Sequence, residues 1–282
     1  MSGYRQGRML LCRSSIQDSI LYYVLLRYPG RTIVFVNSID AIRRLVPILK
    51  LLKVDAYPLH AEMQQRQRLK NLDKFKSNAN AVLIASDVAS RGLDIPHVDH
   101  VVHYQLPRSA DLYVHRAGRT ARGKNQGLSI MLCSPDQLTL YKKLCHSLEK
   151  ENGVPDFPID KSVMSMIKQR LALARKIDEY DHKNRKKESE KSWFEKAAME
   201  ADVELEQEWV EPRGDKKSAE AQGWRRQLDA MLEKKVIPKG VSVNYLTSNV
   251  NRDLADSLLM NVGSKEMPAA KHHSALDDIK GR

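Results

Sequence analysis

Along the first 150 residues the hydrophobic positions switch repeatedly between two periods. Residues 32–36 (Thr-Ile-Val-Phe-Val) and 81–85 (Ala-Val-Leu-Ile-Ala) are short apolar runs, as expected of strands buried on both faces. Residues 54–58, 98–103 and 128–133 read as three further strands. Between these runs, apolar residues recur every three or four positions. Ile42, Leu45, Val46 and Leu49 share one face of a predicted helix over 39–52, and Leu69, Leu72 and Phe75 do so over 62–76. Ser14 or Ser15 can cap a helix that closes at Pro29-Gly30, and two more helices are predicted over 110–118 and 137–150. This alternation predicts an α/β fold, a parallel sheet with helices on both faces. In such sheets ligands bind beyond the carboxyl ends of the strands, so chemistry is expected in the loops after Val36, Pro58, Ala85 and His103.

Past residue 158 the pattern changes. Val163, Met166, Ile167, Leu171, Ala174 and Ile177 fall at helical spacing and predict a long helix over 162–181. A charged run over 182–191 follows, then an amphipathic helix over 192–205 bearing Trp193 and Phe194. Beyond Pro212 the chain is polar and irregular, with one helix predicted over 219–235 and disorder expected elsewhere. The predicted organisation is a flexible start or linker (1–14), an α/β domain (15–158), a helical extension (159–210), and a basic, largely disordered tail with a short helix (211–282).

Charge narrows the class of partner. The 282-residue chain carries a formal net charge of +12 and a pI near 9.5, which favours polyanions, either nucleic acid or an anionic membrane surface. No run approaches the roughly 18 apolar residues of a membrane span. The apolar stretch 20–26, although preceded by Arg5, Arg8 and Arg13, reads as a helix leading into a strand rather than a targeting signal. Cys12, Cys133 and Cys145 form no CxxC pair, which predicts buried thiols in a reducing compartment. His272-His273 stands apart from other ligand types, so no metal site is expected.

Three segments carry candidate chemistry. His115, Arg116, Arg119 and Arg122 fall within eight residues. Positions 119 and 122 can point the same way from a helix end and its following turn, and two convergent guanidiniums suit a phosphate that develops charge. The alternative, a solvated basic helix, sits poorly with Gly118 inside the cluster and the apolar strand after Gly127. In the segment 85–94, Ser86 can cap a helix or bond a phosphate oxygen, Gly92 permits close backbone approach, and Asp94 offers a carboxylate to hydroxyls. Asp87 on its own reads as a helix cap. Gln65 and Arg68 lie one turn apart at a helix start, where the N-terminus favours a phosphate and Arg68 adds a charge. A solvated helix face is the competing reading there.

Taken in order, these segments resemble the second RecA-like domain of DEAD-box RNA helicases of superfamily 2. Ile33-Val-Phe-Val-Asn-Ser38 resembles motif IV, and Leu59 to Arg68 the glutamine-arginine motif that follows it. Ala85-Ser-Asp-Val-Ala-Ser-Arg-Gly-Leu-Asp94 resembles motif V, and His115-Arg-Ala-Gly-Arg-Thr-Ala-Arg122 motif VI. The resemblance covers about residues 15 to 150. It implies that Arg119 and Arg122 are arginine fingers for the terminal phosphates of ATP. It also implies that Gly92 and Asp94 contact the nucleotide, and that His115 and Arg116 link to an acidic motif of a first RecA-like domain. Asp87 would bond the arginines or their loop, while Asn37, Ser38, Arg68 and Ser86 would contact RNA. Two positions depart from the family pattern: Ser86 replaces a threonine but keeps the hydroxyl, and Ala117 replaces an isoleucine, which alters packing more than chemistry.

Tyr28-Pro-Gly-Arg31, the segments 171–177 and 192–198, and Lys239 to Ser248 resemble the nucleolar branch of this family that acts in large-ribosomal-subunit assembly. That implies precursor ribosomal RNA and pre-ribosomal proteins as partners and a nuclear, nucleolar location. Neither a G-x-x-x-x-G-K-[ST] loop nor an Asp-Glu-Ala-Asp sequence is present. In the family, both belong to a first domain that holds ATP and Mg²⁺. The expectation is half an enzyme, beginning near the interdomain linker and catalytically incomplete alone. A purely binding module acting through the region after Pro158, and a superfamily 2 translocase on DNA, remain alternatives.

Overall fold

The computed structural model describes residues 5–90, 95, 98–120, 127–150, 153–155, 157, 159–200 and 216–236. Six parallel strands form one sheet: β1 (Arg5–Leu11), β2 (Thr32–Val36), β3 (Ala56–Leu59), β4 (Val82–Ser86), β5 (His100–His103) and β6 (Gly127–Cys133), in the order β1-β6-β5-β2-β4-β3. The helices between them are α1 (Gln17–Arg27), α2 (Ile39–Leu51), α3 (Gln65–Ser77), α4 (Asp87–Ser90) and α5 (Ala110–Ala117), and α6 (Leu138–Ser147) follows β6.

All five residues of β2 are buried, and so are all seven of β6. Successive side chains of a strand face opposite ways, so burial of every position requires cover on both faces. Ile33 and Phe35 join Leu59, Leu72, Phe75 and Leu83 in one apolar cluster. A second cluster gathers Met9, Tyr113, Met131, Tyr141 and Leu144. Cys12, Cys133 and Cys145 are buried free thiols, and burial pushes the first two up to about 12, which keeps them protonated.

Five of the six strands coincide with predicted ones to within two or three residues. The sixth corrects the expectation of a flexible start. Residues 5–11 form β1, paired with β6 from Arg5↔Gly127 to Leu11↔Cys133. Its outer edge is also occupied, because Met9 N–H donates to the Pro155 carbonyl (2.9 Å) and Phe157 N–H to the Met9 carbonyl (2.7 Å). The Arg-Gln-Gly-Arg start of β1 lacks the apolar run that marks the interior strands, as suits an edge position whose partners come from distant sequence.

The described residues divide into two compact units at Ser162/Val163. The second, Val163–Val236, is built from α7 (Lys161–Glu200) and α8 (Lys216–Glu233). Arg170 bonds the carbonyls of Met231 and Lys234, Asp181 pairs with Arg225, and Tyr180 meets Trp224 edge-on at 6.5 Å. Rising numbers on α7 meet falling numbers on α8, so the two helices run antiparallel. The charged run predicted to separate two helices is instead the middle of α7. Lys183 pairs with Glu179 (2.7 Å) and Lys186 with Glu190 (3.8 Å), and Lys, Arg and Glu are all good helix formers. Residues 201–215 and 237–282, with the predicted tail, the Lys239–Ser248 segment and His272-His273, lie outside the described residues. No helix among the described residues is long and apolar enough to cross a membrane.

Candidate functional site

The strand order reverses at β2. The chain leaves β2 toward β3 and β4 on one side, then crosses to β5 and β6 on the other. The carboxyl ends of β2, β4 and β5 therefore flank a switch point, where connecting segments diverge and open a crevice. Each of these three ends delivers one group to a single side chain, Arg116.

Arg116 occupies the last turn of α5, a helix capped by the Ser109 hydroxyl, which accepts from Leu112 N–H at 3.2 Å. Its side chain is only 1% exposed. From the β4 end, Asp87 takes two bonds, Nε to Oδ1 and Nη2 to Oδ2, both 2.6 Å. From the β2 end, Asn37 Oδ1 accepts at 2.8 Å, and from the β5 end the Gln105 carbonyl accepts at 2.9 Å. The guanidinium also lies over the Phe35 ring, 5.2 Å from its centroid. Four of the five N–H donors of an arginine are thus occupied. A cation this buried needs such a shell, because an uncompensated buried charge costs several kcal/mol.

The sequence reading placed Arg116 in a link to another domain. Here its guanidinium is committed inside this one, and burial is the reason. The Asn37 side chain, expected at RNA, is likewise engaged: it accepts from Arg116 and donates through Nδ2 to the Leu106 carbonyl at 3.1 Å. Ser38 caps α2, accepting from Ala41 N–H at 3.3 Å.

Arg119 behaves differently. It follows the α5 C-cap Gly118, is only partly buried, and reaches the Ser90 carbonyl at a long 3.5 Å. With His115, Asp87, Ser90, Leu112, Phe35 and Arg116 it lines a recess of about 180 Å³. Gly92, Asp94 and Arg122 lie outside the described residues. Among the described residues no three His, Cys, Asp or Glu side chains gather where a metal ion could be held, and Asp87, the acid at the recess, is taken by Arg116. The partly exposed Arg119 guanidinium suits an anionic ligand.

Arg68 stands at the start of α3, where Nη1 donates to Gln65 Oε1 (3.2 Å) and Nη2 to the Ala89 carbonyl (3.1 Å). Its Nε is buried without a partner. The four-residue helix α4, which directly follows Ser86, thus touches three arginines. The Asp87 side chain holds Arg116, the Ala89 carbonyl meets Arg68, and the Ser90 carbonyl meets Arg119.

Gln105 escaped the sequence reading. Its side-chain oxygen accepts from Asn37 N–H at 2.5 Å while its carbonyl holds Arg116. The strand pattern marks the loop after β5, but a glutamine has no chemical signature of its own. A half-buried network behind it carries no sequence signal either. Arg44 makes two bonds to Asp18 (2.6 and 3.1 Å) and one to Tyr104 Oη (2.8 Å), and Tyr104 Oη donates to Asp18 Oδ1 at 2.6 Å. Burial, reinforced by Asp18, pushes the Tyr104 hydroxyl up and keeps it a donor. The network anchors the residue just before Gln105 to α1 and α2.

Comparison with known proteins bears on this arrangement. Residues 16–124 match the family described as the helicase conserved C-terminal domain. The chain is 46% identical over 257 residues to the ATP-dependent RNA helicase ddx24 of Dictyostelium discoideum, covering 87% of this chain and 27% of that protein. It is 42% identical over 249 residues to the ATP-dependent RNA helicase mak5 of Schizosaccharomyces pombe, covering 86% and 38% respectively. The chain therefore spans between a quarter and two-fifths of the length of these two relatives. Among solved structures, the E. coli DEAD-box protein SrmB, bound to regulator of ribonuclease activity A, superposes with a TM-score of 0.51 at 32% identity. That match covers 57% of this chain and 94% of SrmB as solved. The C-terminal domain of the DEAD-box protein Dbp5 gives 0.51 at 25% identity, covering 60% and 98%.

Proposed function

The chain belongs to the helicase C-terminal domain family, in its DEAD-box branch and with its RecA-like fold, and from that premise we propose that it serves as the second RecA-like domain of an ATP-dependent RNA helicase. Its part is to present arginines to ATP and a polar surface to the RNA backbone, working with a first RecA-like domain that holds ATP and Mg²⁺. The observation that carries this reading is the contact of α4 with Arg116, Arg119 and Arg68 at once. One short turn joins a candidate nucleotide side to a candidate RNA side.

The arginines divide the work by burial. Arg116, locked to Asp87, fixes the end of α5. Arg119, one turn later and partly exposed, is the group able to move toward a phosphate, with Arg122 as the second finger. When bound, ATP supplies the phosphoryl group whose transition-state charge these guanidiniums neutralise. His115, exposed at the recess, is the residue left to meet the first domain. Gly92 and Asp94 complete the nucleotide contacts. On the RNA side Arg68, Ser86 and Ser38 face phosphates, which gives binding without base specificity and with strong salt dependence. The resemblance of the segments 171–177 and 192–198 to the nucleolar branch supports a place in ribosome assembly in the nucleolus, on precursor ribosomal RNA and beside pre-ribosomal proteins.

The test supplies the chain with the first domain of a relative and measures RNA-stimulated ATP hydrolysis. The chain alone is expected to turn over no ATP. In the assembled enzyme Arg119→Ala should lower kcat roughly 10³-fold with RNA affinity unchanged. Full activity of the Arg119→Ala enzyme would remove the finger from the reading.

A further inference from the structure

Helix α3 carries far more positive charge than its place in the fold requires. Within Gln65–Ser77 stand Arg66, Arg68, Lys70, Lys74 and Lys76, against one acid, Asp73. Leu72 and Phe75 are buried in the apolar cluster under β2 to β4, and they suffice to seat the helix. Arg68 faces α4, as described. Arg66, Lys70, Lys74 and Lys76 are all exposed.

Arg66, Lys70 and Lys74 are spaced four apart, so they stack in one row on the face opposite Leu72 and Phe75. Each four-residue step climbs about 6 Å, and the row spans about 12 Å. Like charges at this spacing destabilise a helix. Other cations of the chain have acid partners: on α7 Lys183 pairs with Glu179 and Lys186 with Glu190, and Arg43 of α2 pairs with Glu62. On α3 the single acid, Asp73, lies three residues after Lys70, and none of Arg66, Lys70 and Lys74 is ion-paired among the described residues. A row of unneutralised cations on an isolated helix face is explained by a polyanion that lies along it.

The row begins at the end of α3 that also bears Gln65 and Arg68. From this continuity we infer that the exposed face of α3 is a second phosphate track, which carries the RNA backbone onward from the Arg68 contact through Arg66, Lys70 and Lys74. The inference rests on the RNA-binding reading above and extends it to a surface outside the recess. The track would bind the flanking segment of a long RNA and be out of reach of a short one.

The experiment uses the full chain and two single-stranded RNAs, one of about 6 nucleotides and one of about 20. Affinity is measured between 50 and 200 mM salt. The probe variant is the triple Arg66→Gln, Lys70→Gln, Lys74→Gln, with every site exposed and helix propensity kept. The control triple Lys142→Gln, Lys143→Gln, Lys150→Gln removes the same charge from exposed positions at α6 and just beyond it. Each lost contact with a single strand lowers the salt slope by about 0.7, so the α3 triple should lower it by about 2 on the long RNA. Over this fourfold salt range the unmodified chain then loses about 16-fold more affinity than the variant. The short RNA and the control triple should leave the slope unchanged. An equal fall in slope with both triples would reduce the effect to net charge and overturn the track. An unchanged slope with the α3 triple would also overturn it, and would leave the row to an acidic protein surface. Binding by the unmodified chain separates these results from failure of the RNA reading itself: a chain that binds neither RNA at 50 mM salt overturns both.

Discussion

Replacing Asp87 by alanine tests the reading that Arg116 is the keystone of the site. The substitution removes two 2.6 Å bonds from a guanidinium whose side chain is 1% exposed. Asn37 Oδ1 and the Gln105 carbonyl remain, so the cation keeps two of its four bonds but loses its only counter-charge among the described residues. Breaking one side of a buried ion pair costs about 3–5 kcal/mol. The Asp87 side chain is 18% exposed, so water can enter the space it leaves, and the lower end, about 3 kcal/mol, is expected. That is roughly a hundredfold shift in the folding equilibrium, against a total stability of about 5–15 kcal/mol for a domain of ordinary size. Removing the stranded cation as well should restore much of the loss, because a buried pair replaced by apolar groups is often neutral. Asp87→Ala/Arg116→Met is therefore expected to be more stable than Asp87→Ala alone. All three tryptophans (Trp193, Trp209 and Trp224) lie beyond the sheet, so their fluorescence would follow the wrong part of the chain. Amide hydrogen exchange of β2, β4 and β5 in a urea series reports on the sheet itself. A loss below 1 kcal/mol for Asp87→Ala, or a double variant less stable than the single one, would refute the keystone reading.

Two further predictions concern the edges of the site's scaffold. Gly30 has φ +150°, and a Cβ there would stand 2.8 Å from Asp99 Oδ2, a carboxylate already accepting from Arg31 N–H at 2.8 Å. Gly30→Ala should cost more than about 1 kcal/mol in thermal or urea unfolding, and a neutral result would contradict this account. Burial holds His100 down to about 4 and His103 well below its usual value, so both are neutral in the folded chain. The unfolded chain takes up these protons first, near pH 6.5, so stability falls as the pH drops from about 6.5 toward 4. For His100 alone the loss at pH 5 is about 2 kcal/mol relative to pH 7. Equal urea midpoints at pH 7 and pH 5 would contradict it.

The local elements were legible because their signals are local. Apolar runs bounded by Pro29-Gly30 and by polar loops mark β2 and β4, and the Leu72/Phe75 spacing marks α3. The same pattern points to the ends of β2, β3, β4 and β5, of which three meet at Arg116, because alternation of strand and helix forces a parallel sheet with its crevice at the carboxyl edge. Chemical type was legible too: a cluster of arginines beside a glycine proposes a phosphate. What sequence spacing could not decide was which arginine is spent. Arg116 and Arg119 differ by three positions, and nothing in their spacing says which of them is buried. Only the packing of α5 against Phe35 buries one and leaves the other partly exposed, and burial compels the first to collect Asp87, Asn37 and Gln105 from three separate strand ends. Strand β1 was hidden for a related reason, since its partner β6 lies more than a hundred residues away. The sequence by itself determined the elements and the kinds of groups present. The tertiary structure alone decided which of those groups are buried and paired, because a charge's distance from water and from its counter-charge is set by residues remote in the chain.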